Sequence, residues 1–198
     1  MVKVGFIVEG GTEKILIESP RFSAWLKTIN IELVRPVVDA EGGGNLLPKN
    51  IAPMINTLNS VGVDHIIILT DLEDEESVAV VKQRIGTEYT SFVFVAVKAI
   101  EAWYLADTNA MRKWLKSDSF VESSPEQTIA KPWQRLKEIA QTEDRPGPGS
   151  SKVAFAKKMV KHFGFDVSQS AIHPECPSAK LLIDGLQELT LEQVKVEP

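Results

Sequence analysis

The chain has 198 residues, 43% hydrophobic and 25% charged, with a formal net charge of −5. These values describe an ordinary globular chain with apolar material for a sizeable core, and the acidic balance excludes a surface that grips nucleic acid by general charge alone. A single cysteine, Cys176, excludes an internal disulfide and a cysteine-rich zinc site; no apolar run approaches the roughly 20 residues of a membrane span, the first residues lack a signal-peptide pattern, and a cytoplasmic protein is expected.

In chain order, VKVGFIV at 2–8 predicts a strand. ILIESPRFSAWLKT predicts a helix disturbed at Pro20. IELVRPVVDA at 31–40 predicts a second strand, placed near a sheet edge by Pro36. EGGGN at 41–45 reads as a flexible loop, and Leu47, Ile51, Met54, Ile55 and Leu58 give helical spacing over 47–60. DHIIILTD at 64–71 is apolar on both faces, as a parallel strand under helices is. EESVAVVKQRIG at 75–86 predicts a helix stopped by Gly86, and SFVFVAV at 91–97 a fourth strand.

This alternation predicts an α/β fold with a mostly parallel sheet flanked by helices. After residue 98 no clear strand follows, and a helical C-terminal part is expected. SSPEQ at 123–127 carries a helix-start signature, with Ser124 as cap, Pro125 in the first turn and Gln127 completing a capping box. DRPGPGSS at 144–151 reads as a hinge or loop, followed by helices at about 151–163 and 178–189. The expected organisation is an α/β core over 1–108, a helical extension packed on it over 109–190, and a flexible tail over 191–198.

The first strand ends at Glu9, in VEGGTE. The third ends in TDLEDEE, with Asp71, Glu73 and Asp74, and the fourth runs on to Glu101 in IEAW. In a parallel sheet these ends share the carboxyl edge, where ligand sites form. Carboxylates gathered in a crevice repel one another and raise one another's pKa, which makes sense if a hard cation such as Mg²⁺ or Mn²⁺ sits between them. Two glycines after Glu9 allow close backbone approach, and a helix opening at Thr12 or Glu13 would offer N–H groups to a phosphate. A divalent ion beside a phosphate is the machinery of phosphodiester hydrolysis. The plainer reading of Asp74, Glu75 and Glu76 is that they sit at a helix front, where negative charge is favourable; Glu13 has the same alternative.

VEGGTE, then TDLE, then IEAWYLAD at 100–107 and CPSAKLL at 176–182 resemble the TOPRIM-like family. The resemblance is to small stand-alone TOPRIM proteins akin to OLD-family nucleases and RloB-like proteins, often encoded beside AAA- or ABC-type ATPases in bacterial defence loci. It spans Val4 to about Leu186. It implies a Rossmann-like TOPRIM sheet and a Mg²⁺ or Mn²⁺ site with Glu9, Asp71, Glu73 and Glu101 as ligands or base. Glu13 becomes a second-metal or supporting candidate. A nuclease is implied, with nucleic acid as substrate, DNA in preference to RNA, and a separate ATPase as partner. Glutamate at 73 replaces the second aspartate of the family's Asp-x-Asp pair, which leaves one or two metals open. A non-catalytic regulatory module for the ATPase is the main alternative, and a small-molecule phosphatase or nucleotide hydrolase a third.

SSKVAFAKKMVKHFG at 150–164 contains Lys152, Lys157, Lys158 and Lys161 and no acid. The plain reading is a solvated helix face, with Lys161 and His162 favourable at its end. Lys152 stands apart: a cation at a helix start opposes the dipole, which points to an anionic neighbour. The related proteins carry a lysine near here, which places it beside the active site to steady an oxyanion. Trp103 reads as core, and Trp25, Trp114 and Trp133 lack a spacing that suggests base stacking. His65, His162 and His173 lack metal-ligand spacing, and Cys176 reads as structural. No GxxxxGK[ST] loop is present, so ATP hydrolysis through a P-loop is excluded. A homodimer and activity without a partner are both left open.

Overall fold

The structure, a computed structural model, describes residues 1–86, 88 and 92–194. Ser91, the expected start of the fourth strand, and residues 195–198 of the expected tail lie outside the described residues.

Among the described residues, five strands form one parallel sheet: β1 (Val2–Val8), β2 (Ile31–Leu33), β3 (Val38–Asp39), β4 (His65–Asp71) and β5 (Val93–Ala96). The order is β2-β1-β4-β5, with β3 also against β1. Side chains alternate across a strand, so the apolar runs load both faces. Val4, Phe6, Val8, Ile67 and Leu69 face one core, while Ile7, Ile68, Val93 and Val95 face another. The second is covered by α3 (Pro48–Ser60) and α4 (Val78–Ile85) through Ile51, Leu58, Val81 and Ile85. The first is larger. It takes in α1 (Gly11–Ile17), α2 (Pro20–Thr28) and α5 (Glu101–Ala106). The rest of the helical part joins it: α6 (Thr108–Leu115), α7 (Pro132–Thr142), α8 (Lys152–Lys158), α9 (Val167–Ser170) and α10 (Pro177–Val194). Trp103, Tyr104 and Phe155 are fully buried where these helices meet, with Tyr104 edge-on to both Phe155 and Phe165. Among the described residues no helix is long and apolar enough to cross a membrane.

Several local expectations change. The single strand expected over 31–40 is two short ones, β2 and β3, both paired to the same side of β1. Pro36 lies in the gap between them, where a residue without an N–H removes no ladder bond. The helix expected from residue 15 breaks at Pro20, because Ser19 Oγ accepts from Phe22 N at 3.2 Å and restarts the chain as α2. The EGGGN loop is an ordered 3-10 turn, Gly43–Leu46, pinned by Gly42 N donating to Glu9 O at 2.8 Å. The helix expected from residue 75 starts at Val78, since Ser77 caps it. Glu75 and Glu76 thus precede the helix, and Glu75 instead pairs with Arg84. The capping box at 123–127 opens no helix: Gln127 N donates to Ser124 O in an isolated turn. Glu126 turns away to accept from Ser178 N and Ser178 Oγ, at the front of α10. Finally, α10 runs on through residues 191–194, where the pattern suggests a loose tail.

Candidate functional site

Because every strand pair is parallel, the chain leaves β1, β3, β4 and β5 at one edge of the sheet. A crevice of about 240 Å³ lies there, lined by six carboxylates (Glu9, Glu13, Glu41, Asp71, Glu73, Glu101) and one amine, Lys152. The structure thus brings together Glu9, Glu13, Asp71, Glu73 and Glu101, and Lys152 with them. Their order along the chain explains the convergence. Glu9 follows the last residue of β1, Asp71 ends β4, and Glu101 opens α5 just beyond β5. Glu13 projects from the first turn of α1.

Each acid has its own setting. Glu9 Oε2 accepts from Thr70 Oγ1 and, at 3.1 Å, from Asp71 N. Asp71 Oδ1 accepts from Ile100 N at 2.9 Å, which ties the end of β4 to the start of α5. Glu101 is only 1% exposed, and Lys152 Nζ stands 3.1 Å from its Oε1 and 3.3 Å from its Oε2. Glu73 is exposed at the rim with φ +49°, its N–H donating to Lys98 O at 2.8 Å. Gly43 lies so near Glu9 that an added Cβ would sit 3.2 Å from Oε1. Asp74 is outside the crevice, in an exposed pair with Lys131.

The electrostatics are those of a site with too much negative charge. Burial pushes the Glu13 carboxyl up to about 7, helped by the charges of Glu9 and Glu101 and partly opposed by nearby N–H groups. Asp71 is raised well above the carboxylate range, first by burial, then by Glu13, Glu101 and Glu9. Partial burial pulls the Lys152 amine down, but Glu101, Asp71 and Glu13 outweigh it and the net shift is upward. Tyr104 was missed in the sequence. It follows Glu101 by one helical turn, is fully buried, and its hydroxyl has no hydrogen-bond partner among the described residues. Burial and the same acids keep that hydroxyl protonated. Thr70 and Glu41 were missed as well; neither position carries a sequence signal beyond adjacency to a strand end.

Among the described residues no three acidic, imidazole or thiol side chains are drawn up around a single point as a metal cage would be. Glu9 is turned toward Thr70, Asp71 toward Ile100 N, and Glu101 toward Lys152. The donor chemistry, all carboxylate oxygen under mutual repulsion, suits a hard divalent ion such as Mg²⁺ or Mn²⁺ rather than a soft one. Glu9, Asp71 and Glu101 could hold it, with Glu13 and Glu73 at the margins.

No family model and no curated protein matches this chain. Solved structures do. The C-terminal region of the Burkholderia pseudomallei OLD protein is 19% identical, with a TM-score of 0.47 over 95% of this chain and 98% of that one. The C-terminal region of the Xanthomonas campestris pv. campestris OLD protein is 15% identical, with a TM-score of 0.43 over 98% of this chain and 96% of that one.

The remaining candidates lie elsewhere. Lys157, Lys158 and Lys161 are exposed, clear of the crevice lining. Cys176 is buried, and burial together with Glu126 pushes its thiol far up, which makes it unreactive.

Proposed function

We propose that this chain is a Mg²⁺- or Mn²⁺-dependent nuclease, hydrolysing phosphodiester bonds in DNA in preference to RNA. Its setting would be a bacterial defence system with a separate AAA- or ABC-type ATPase. One observation carries the reading: strand ends, the turns beyond them and three helix starts bring six carboxylates and a single amine to one crevice. That imbalance is relieved by a bound cation, and the ordered motifs VEGGTE, TDLE and IEAW, with their TOPRIM-like resemblance, support the same conclusion. A divalent ion held there supplies Lewis acidity and a more acidic bound water.

The protein's own groups then have separate tasks. Glu9, fixed by Thr70 and the Asp71 N–H, presents its Oε1 toward the crevice turn at Gly43. Asp71 and Glu101 line the same crevice. Lys152, half-exposed at the start of α8, has three donors and engages Glu101 with poor alignment to Oε1. It is therefore free to share its charge with a phosphate oxygen as negative charge develops.

The test is cleavage of single-stranded and duplex DNA and RNA with Mn²⁺, by wild type and Glu9→Gln. The substitution keeps the shape and removes one charge, so cleavage should vanish while the fold persists. Equal activity in both proteins would mean a contaminating nuclease. Metal binding with no cleavage, even beside the neighbouring ATPase, would favour the non-catalytic regulatory module.

A further inference from the structure

Beside the carboxylate crevice, and sharing Glu73, Glu101 and Lys152 with it, lies a second cavity of about 540 Å³. That volume is typical of small-ligand sites. Its lining is of two kinds. One is apolar: Ile129, Pro132 and Trp133, from the loop before α7 and its first turn. The other is charged, with the amines Lys98, Lys131 and Lys152 beside the carboxylates Glu73, Asp74 and Glu101.

Of these apolar residues Pro132 is buried, and the other two are open in part or in full. Ile129 is fully exposed. Trp133 is half-buried, with Phe155 edge-on to its ring and Lys137 Nζ 5.8 Å from its centroid. Neither of those residues lines the cavity, so the part of the indole that does is bare of protein. Each amine already has a partner, and Lys152 is held by the buried Glu101. Lys98 Nζ donates to Thr128 O. Lys131 pairs with Asp74 at 2.6 Å, but both side chains are largely exposed, and such pairs exchange at little cost.

An aromatic ring near cations is how sequence-tolerant single-strand sites are built: the base stacks and the backbone meets the charge. A base inside a duplex cannot enter such a cavity; only an unstacked one can. We propose that this cavity receives one unstacked nucleotide of a single-stranded nucleic acid, its base against Trp133 and its phosphate at the Lys131 amine in exchange for Asp74, leading into the carboxylate crevice. This inference rests on the hydrolase reading for the fate of the strand, but not for its binding.

The experiment therefore measures binding without metal. Fluorescein-labelled oligothymidylate and an abasic strand of equal length are titrated at low ionic strength in EDTA, with anisotropy as the readout. The proteins are wild type, Trp133→Phe and Trp133→Leu. Loss of a stacked base is worth roughly 5- to 100-fold in affinity. Trp133→Phe should bind oligothymidylate nearly as wild type does, and Trp133→Leu about 5- to 100-fold more weakly, while all three bind the abasic strand alike. Since Leu keeps an apolar side chain over Phe155, melting curves of the two variants should agree, which separates stacking from folding. Equal oligothymidylate binding by Phe and Leu variants overturns the proposal. So does equal loss on both strands, or no wild-type binding of oligothymidylate. Base-dependent binding without Mn²⁺-dependent cleavage sinks the hydrolase reading and leaves this subsite standing; cleavage without base dependence does the reverse.

Discussion

Glu13→Gln tests whether the crevice is electrostatically strained. Glu13 is 5% exposed, and its carboxyl sits at about 7 rather than 4.5. The folded chain then holds a proton that the unfolded chain releases. Between pH 4.5 and 7 the folded state binds more protons, so stability falls as pH rises through that window. Above it, with both states ionised, the full penalty is present, on the order of 3 kcal/mol for one such carboxyl. Glutamine carries no charge at any pH, so the metal-free variant should be more stable than wild type at pH 8. The expected gain is about 1–3 kcal/mol, reduced because one amide oxygen replaces two carboxylate acceptors of backbone N–H groups. At pH 5, where wild type is protonated, the difference should shrink toward zero. Urea denaturation in EDTA at both values measures it. A variant less stable than wild type at pH 8, or an equal difference at pH 5 and 8, would refute the reasoning.

Two other perturbations follow from the geometry. Lys152→Met leaves the buried Glu101 without its cation; buried pairs lose about 3–5 kcal/mol when broken, and half-exposure of the lysine reduces this to about 1–3. Saturating Mn²⁺ should recover the loss in chemical denaturation, and no recovery would separate Glu101 from the metal. At Gly185 an added Cβ would lie 2.5 Å from Phe94 Cζ and 2.8 Å from Cε1. Gly185→Ala should therefore destabilise by about 1–3 kcal/mol in thermal melting without changing metal affinity; an unchanged melting temperature would contradict that packing.

The strands and their acidic ends were legible because a strand buried on both faces leaves an uninterrupted apolar run, and such a run stops abruptly at its first acids. HIIILTD is the clearest case. Parallel pairing then places those ends together without further information. What sequence pattern could not give was long-range hydrogen bonding. Glu126 falls inside the SSPEQ helix-start signature, yet its partner is Ser178, 52 residues on. EGGGN reads as mobile, yet Glu9 O holds it. Lys152 was noticed because a cation at a helix start is locally unfavourable, and Glu101 is the anion that accounts for it. Trp133 gave no signal, since the cavity it lines is assembled from residues between Glu73 and Lys152.

The central claim is that the crevice holds a divalent ion, and the most direct test is a crystal soaked in Mn²⁺ with diffraction measured for anomalous signal. The account predicts a peak in the crevice bounded by oxygen atoms of Glu9, Asp71 and Glu101, with Glu101 turned from Lys152 toward the ion. No anomalous peak at saturating Mn²⁺, or one that touches none of these three carboxylates, would contradict it.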